Sequence, residues 1–207
     1  MVTLENFRPY LLQFTRDAGE TWMLIGGLAV SLWREHYFPG TQPIQSKDLD
    51  LAGTRPAAYA FGRLLRKAGH KIPVITTITR REPVGLGKNY VFTLDLPGAG
   101  TTTVEVLEKL PLLDSPDEPP RGLAIEIEGI RVLDPLSLAI GKIHAFNHRK
   151  DPDGTSNDRI HLEYLEEIIP LFMEEAADRD VDLSDRVKHL SEVMDSWRHP
   201  MSGLRLS

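Results

Sequence analysis

The hexapeptide Ser46-Lys47-Asp48-Leu49-Asp50-Leu51 is the strongest constraint on how this chain folds. Aspartate is depleted in strands, yet strict alternation of acid and leucine is the pattern of a strand with one dry face. In that conformation Asp48 and Asp50 share one side and Leu49 and Leu51 the other. Side chains two apart on a strand lie roughly 6.5–7 Å from each other, which lets both carboxylates reach one metal site. Hard oxygens so placed suit Mg²⁺ (or Mn²⁺), which takes one or two protein carboxylates plus substrate phosphates. About twenty residues upstream, Gly26-Gly27 ends an apolar run. A glycine turn ahead of a helix lets backbone approach a phosphate closely. Together the two features read as a nucleotide-and-metal site.

The rest of the chain supplies a scaffold of the right kind. Apolar residues at helical spacing predict a helix over 4–17, closed by Ala18-Gly19. Thr21–Ile25 reads as a buried strand, Leu28–His36 as a helix, 38–45 as a loop and Asp48–Ala52 as the second strand. Arg55–Ala68 reads as a helix with Pro56 in its first turn and Gly69 at its end. Pro73–Thr79 and Tyr90–Leu96 read as strands, and Thr101–Leu107 returns from the Pro97-Gly98-Ala99-Gly100 turn as a hairpin partner. Gly85-Leu86-Gly87-Lys88 lacks the spacing of a phosphate loop and reads as a turn. Residues 110–122, with four prolines and three acids, read as an exposed connection.

Ala124–Ile127 and Ile130–Leu133 flank Glu128-Gly129 as a second hairpin. From Pro135 onward the pattern is helical throughout: 136–148, 158–172 and 183–197. The composition shift near residue 134 divides the chain into an α+β catalytic half, 1–134, and a helical half, 135–207, packed on it.

The sequence holds 207 residues, enough for one sizeable core. Hydrophobic content of 41% and charged content of 26% are those of a globular protein. No apolar run reaches the length of a membrane span, and the N-terminus lacks a signal-peptide pattern. The chain contains no cysteine, so disulfides and thiolate metal sites are excluded and a cytoplasmic location is expected. A net charge of −6 argues against a protein that coats nucleic acid. Arg63, Arg66, Lys67, His70 and Lys71, with Arg80-Arg81, form the densest basic cluster. It reads as a solvated helix face or as the lining of a groove for a tRNA-like acceptor.

A metal held by two carboxylates of one strand can take a third from a neighbouring strand. Glu105 is the candidate, since Val104 and Val106 flank it and turn to the core. Asp95 on the partner strand is its competitor, while Glu126 and Glu128 beside a tight turn read as a solvated face. Lys142 and Arg149 lie two helical turns apart and share a face. Lysine offers a point charge to phosphate and arginine a fork. Asp158 follows an expected flexible loop, Asp151-Pro152-Asp153-Gly154, whose glycine comes too early for a calcium loop. His144, His148 and His161 stand at no metal-ligand spacing and read as surface or satisfied histidines.

Gly-Gly, a helix and Ser-x-Asp-x-Asp on a strand resemble the opening motif of the nucleotidyltransferase superfamily, and more narrowly its AbiEii-like toxin and minimal nucleotidyltransferase branch. The segment from Leu133 to Ala145, followed by Arg149 and Asn157-Asp158, is similar to that branch's lysine-bearing helix, arginine and Lys-Asp-x-x-Asp-Leu motif. The resemblance covers roughly residues 20 to 165. It departs at Asn157, where the branch has lysine, and at His161, where it has a second aspartate.

The resemblance implies a nucleotidyltransferase-like mixed sheet with flanking helices and a C-terminal helical lobe. It also implies transfer of a nucleoside monophosphate from a nucleoside triphosphate to an acceptor hydroxyl. Asp48, Asp50 and Glu105 would hold Mg²⁺; Gly26, Gly27, Ser46, Lys142, Arg149 and Asp158 would bind the nucleotide. An RNA or protein acceptor and a cognate antitoxin partner are implied in the same way. Two alternatives stand beside this reading: a catalytically silent module of the same fold, and an aminoglycoside-type transferase whose polycationic acceptor would suit the acidic chain.

Overall fold

The computed structural model describes residues 1–18, 21–82, 85–110, 124–149 and 152–206. A seven-stranded mixed sheet runs through the molecule: β1 Trp22–Ile25, β2 Asp48–Gly53, β3 Thr76–Glu82, β4 Gly85–Leu96, β5 Gly100–Leu107, β6 Ala124–Ile127 and β7 Ile130–Leu133. Their spatial order is β3-β4-β5-β2-β1-β7-β6. The β2–β5 and β1–β7 pairs are parallel and the others antiparallel. Among the described residues six α-helices accompany the sheet: α1 Arg8–Ala18, α2 Gly26–Tyr37, α3 Arg55–Lys67, α4 Pro135–His148, α5 Pro152–Asp178 and α6 Ser184–Ser196. The expected α+β class with a mixed sheet is the observed one. Among the described residues no helix is long and apolar enough to cross a membrane.

Alternation along β1 and β2 sorts side chains to two faces. Leu24 pairs with Leu51 and Trp22 with Gly53, and α1 and α3 cover that side. There the Phe14 ring lies 4.8 Å from Trp22 and 5.0 Å from Phe61, centroid to centroid. Ile25 pairs with Asp50 and so belongs to the opposite side, where α4 lies. Buried Trp33 donates from Nε1 to the Leu133 carbonyl at 2.8 Å, tying α2 to the end of β7. Asp134 caps α4 by accepting from the Ser137 N–H at 3.0 Å, with Pro135 in the first turn. That junction fixes where α4 leaves the sheet.

Several boundaries differ from the sequence expectation. The first helix is split: a 3₁₀ turn over Leu4–Asn6 precedes α1. Pro9 has no N–H to give the Glu5 carbonyl, and the Thr3 N–H donates to Asn6 Oδ1 at 2.8 Å, closing the short turn. Gly26-Gly27 is not a turn ahead of α2 but its first two residues. The strand expected over Pro73–Thr79 lies at Thr76–Glu82, and Gly85-Leu86-Gly87-Lys88, expected as a turn, continues β4. Backbone pairing of Arg80 with Gly87 and Arg81 with Leu86 overrides the weak strand propensity of glycine.

Within the expected 151–154 loop, Asp151 lies outside the described residues and 152–154 are helical, since α5 begins at Pro152, whose fixed φ suits a helix start, and runs 27 residues through Pro170. Pro170 removes one intrahelical bond, yet Ile168, Ile169, Phe172 and Ala176 are buried around it and hold the helix in place. The connection expected over 110–122 lies, apart from Leu110, outside the described residues.

Candidate active site

The site is built where β2, β5, α2 and α4 meet. Parallel pairing sets Asp48 beside Thr103 and Asp50 beside Glu105. Asp50 and Glu105 therefore stand next to each other on one face, with Asp48 two residues along it. Asp95 pairs with Thr101 at the far end of the hairpin and accepts from its hydroxyl at 2.5 Å, which removes it from this group. Buried Asn89 on β4 donates from Nδ2 to Glu105 Oε1 at 2.7 Å, orienting that carboxylate. Ser46, pinned by two 2.8 Å backbone bonds with Val2, donates from Oγ to Asp48 Oδ1 at 3.1 Å.

Burial pushes the Asp50 carboxyl up to about 7, and the neighbouring Asp48 carboxylate pushes it the same way. Lys142 pulls it down, Glu105 adds to the rise and Arg149 to the fall. The dominant cause is desolvation; like charge comes second. An acid in this state is one that a cation would ionise.

Gly26 starts α2 at φ +72°, and a side chain there would run into the Asp50 carboxylate. Only glycine lets the helix begin against β2 in this way. At Gly27 a Cβ would stand 2.9 Å from His161 Cε1 and 3.3 Å from Ser46 Oγ. The N-terminus of α2, Ser46 and His161 thus enclose one small space.

Opposite the carboxylates lie two cations from α4 and its end. Lys142 is buried and donates from Nζ to Asp158 Oδ1 at 2.9 Å. Arg149, half-exposed just past the helix, places Nε 2.7 Å from Asp158 Oδ2. Asp158 is almost wholly buried between them, so its carboxylate faces its own cations. Two cations share one carboxylate, and the excess positive charge fronts the acids of β2 and β5. Asp50, Glu105, Gly26, Lys142 and Arg149 all line one cleft of about 200 Å³.

Of the residues expected from sequence, five therefore line the cleft directly. Asp48, Ser46 and Gly27 adjoin it, and Asp158 supports its cations from behind. Two further residues were not expected. Asn89 carried a signal, because asparagine is depleted in strands as aspartate is. His161 is buried, and burial followed by Lys142 and Arg149 pushes its imidazole down to about 3. It is neutral, and its Nδ1 has no hydrogen-bond partner. Its signal was its place three residues after Asp158, on the same helical face.

Among the described residues, no group of three or more His, Asp or Glu side chains is close enough to form a metal cage of its own. A Mg²⁺ ion does not require one, because substrate phosphates and water supply most of its ligands.

No protein-family model matches this chain, and no curated protein matches it by sequence. Solved structures overlap with it more broadly. The Megavirus polyadenylate synthase is 15% identical at a TM-score of 0.49, over 81% of this chain and 32% of its own. This chain thus spans about a third of that protein's length. ANT(2″)-Ia, solved in complex with adenylyl-2″-tobramycin, is 11% identical at a TM-score of 0.48, over 92% and 96% of the two chains. An antigenic nucleotidyltransferase-like protein from Paracoccidioides brasiliensis is 15% identical at a TM-score of 0.44, over 91% and 94%. These are likenesses with TM-scores below 0.5, and the chemistry of the cleft is read from its own residues.

Proposed function

We propose that this protein is a Mg²⁺-dependent nucleotidyltransferase that moves a nucleoside monophosphate from a nucleoside triphosphate to an acceptor hydroxyl. The observation that carries this reading is the pairing of Asp50 with Glu105 on adjacent parallel strands, facing Lys142 and Arg149 across one cleft. A pair of acids alone binds a cation, and a pair of cations alone binds an anion. Both arms on one small cleft suit a metal-bound triphosphate.

Asp48, Asp50 and Glu105 would be the protein's ligands to the metal, with phosphate and water completing its shell, and the burial and like charge that keep Asp50 protonated up to about 7 are what a divalent cation offsets. When bound, Mg²⁺ supplies neutralisation of the triphosphate and of the departing pyrophosphate. The chain's own residues do the positioning. Lys142 and Arg149 hold non-transferred phosphates, the backbone at Gly26-Gly27 with Ser46 takes a phosphate oxygen, and Asn89 keeps Glu105 aimed at the cleft. The acceptor oxygen bonds to the α-phosphorus as the bond from that phosphorus to the pyrophosphate oxygen breaks. A carboxylate of the group receives the hydroxyl proton. Catalysis of this kind is mostly orientation and charge stabilisation.

The test is incubation with each of the four nucleoside triphosphates labelled at the α-phosphate, with Mg²⁺ and total RNA, cell extract or an aminoglycoside as acceptor. Label on an RNA or protein band, absent with Asp48→Ala, supports the transferase and identifies nucleotide and acceptor class. An RNA or protein target would accord with the toxin-like role and antitoxin partner that the sequence resemblance implies. Label on an aminoglycoside alone would favour the small-molecule alternative. Mg²⁺-dependent binding without label from folded protein overturns the enzyme and leaves the silent binding module.

A further inference from the structure

His161 is the polar side chain of the site that the transferase reading leaves without a task. It is 6% exposed, and its Nδ1 has no hydrogen-bond partner. Buried polar groups are normally satisfied, so an exception at a candidate site calls for a reason. The direction of the ring supplies one. Its Cε1–Nε2 edge faces Gly27, where a Cβ would stand 2.9 Å from Cε1 and 3.2 Å from Nε2. Ser46 Oγ lies 3.3 Å from the same point.

Gly27 is the second residue of α2, a helix of 12 residues whose start no side chain caps. The leading N–H groups of such a helix have no partner within it, and they favour an oxyanion. Ser46 directs its hydroxyl proton to Asp48 Oδ1 at 3.1 Å, so it offers that space no donor here. The imidazole is the side chain left to donate. Burial, and then Lys142 and Arg149, push it down to about 3, so it carries one N–H and no charge. Lys142 and Arg149 are also the cations assigned to the phosphates, and the ring lies within reach of both.

We propose that His161 is a substrate-positioning residue, donating from Nε2 to an oxygen of the non-transferred phosphates that the uncapped start of α2 receives from the other side. The inference rests on the transferase reading for the identity of the ligand. It adds to that reading a neutral donor at the position where the resembling branch carries an aspartate. A carboxylate there would stand with Asp48, Asp50 and Glu105 and repel the same oxygen. The substitution therefore exchanges a repulsion for a hydrogen bond, and the seat of the phosphate differs in charge from that branch.

The experiment measures binding of inorganic tripolyphosphate and of ATP, GTP, CTP and UTP with Mg²⁺ by calorimetry, and of Mn²⁺ alone. It uses the full chain, His161→Gln, His161→Leu and His161→Asp, each first shown to melt cooperatively. His161→Leu should weaken tripolyphosphate about 10- to 100-fold, the usual loss of a hydrogen bond to a charged group. His161→Gln, whose amide keeps a donor, should stay within about threefold of wild type, and His161→Asp should fall below His161→Leu. Binding of Mn²⁺ alone should be the same in wild type, His161→Gln and His161→Leu. In ¹⁵N-labelled wild type, tripolyphosphate with Mg²⁺ should shift the His161 Nε2 resonance, identified by its loss in His161→Gln.

Tripolyphosphate bound by folded His161→Leu as tightly as by wild type, or a His161 resonance unmoved at saturation, overturns the inference and leaves the transferase reading in place. Equal loss of Mn²⁺ and tripolyphosphate in His161→Leu also overturns it, because the ring then only supports the acids. If His161→Leu does not fold, the resonance and His161→Asp decide the outcome. If neither tripolyphosphate nor any nucleoside triphosphate binds the wild type, the transferase reading fails and the inference falls with it.

Discussion

Asp50 stands beside Glu105 in the parallel register of β2 and β5, and their acids are close enough that Glu105 helps hold Asp50 protonated. The folded-state value near 7 exceeds the ordinary 3.8, so this group favours folding fully below pH 3.8 and loses that contribution as pH rises through 7. In metal-free buffer at pH 8, Asp50→Asn should therefore be more stable than wild type by about 2–4 kcal/mol. At pH 4 the two should nearly coincide. Denaturant midpoints at both pH values check this; an equal difference at both would show that Asp50 ionises freely.

His161 has the opposite sign. Its folded-state value near 3 lies below the ordinary 6.5, so its contribution to stability is present above pH 6.5 and is lost as pH falls toward 3. His161→Gln should flatten the acid-side decline, recovering about 2–3 kcal/mol of the stability lost between pH 6.5 and 4. The same denaturant series reads it. A wild-type decline left intact by the substitution would assign the loss to other groups.

Asn89 and Asp95 sit on the same strand and separate a working partner from a bystander. Asn89 donates to Glu105, whereas Asp95 is held at the exposed end by Thr101. Asn89→Ala should lower transfer by roughly 10–100-fold, the usual effect of removing the group that orients a metal ligand. Asp95→Asn should leave the rate within about twofold. A reversed order in steady-state rates would make Asp95 the third acid.

Gly26 tests how tightly α2 meets the acids. Its φ of +72° and the proximity of Asp50 oppose any side chain. Gly26→Ala should cost about 2–4 kcal/mol from the combined strain and clash. Divalent-ion binding should weaken with it as Asp50 is displaced. Isothermal titration with Mn²⁺ and a thermal melt read the two effects separately.

The acid strand was legible because its signal is local: a period of two, broken twice by a residue that strands disfavour. The hairpins were legible for the same reason. The pairing of β2 with β5 joins residues more than fifty apart, and no periodicity encodes it; Glu105 came forward through its flanking valines and the family resemblance. Gly85–Lys88 was misread because glycine spoke for a turn while the ladder with β3 decided for a strand. His161 was passed over because its spacing from Asp158 says only that the two share a helical face; what sets it apart is burial, a property of the packing of α5 against α2.

Lys142 and Asp158 allow stability to be separated from chemistry. Both are buried and in contact at 2.9 Å, so removing Asp158 takes from Lys142 its hydrogen-bonded anion. Asp158→Leu should destabilise the fold by about 3–5 kcal/mol, since Lys142 loses its anion. Lys142→Met should cost less, because Arg149 still faces Asp158. The double variant replaces an ion pair with apolar side chains and should recover most of the loss. It should nonetheless remain inactive, because Lys142 also fronts Asp50 across the cleft and no methionine can offer a charge to a phosphate. Denaturation of the four proteins gives the coupling, and transfer rates of the same four show whether activity follows stability or the lysine. Activity restored in the double variant would reduce Lys142 to a structural counter-ion.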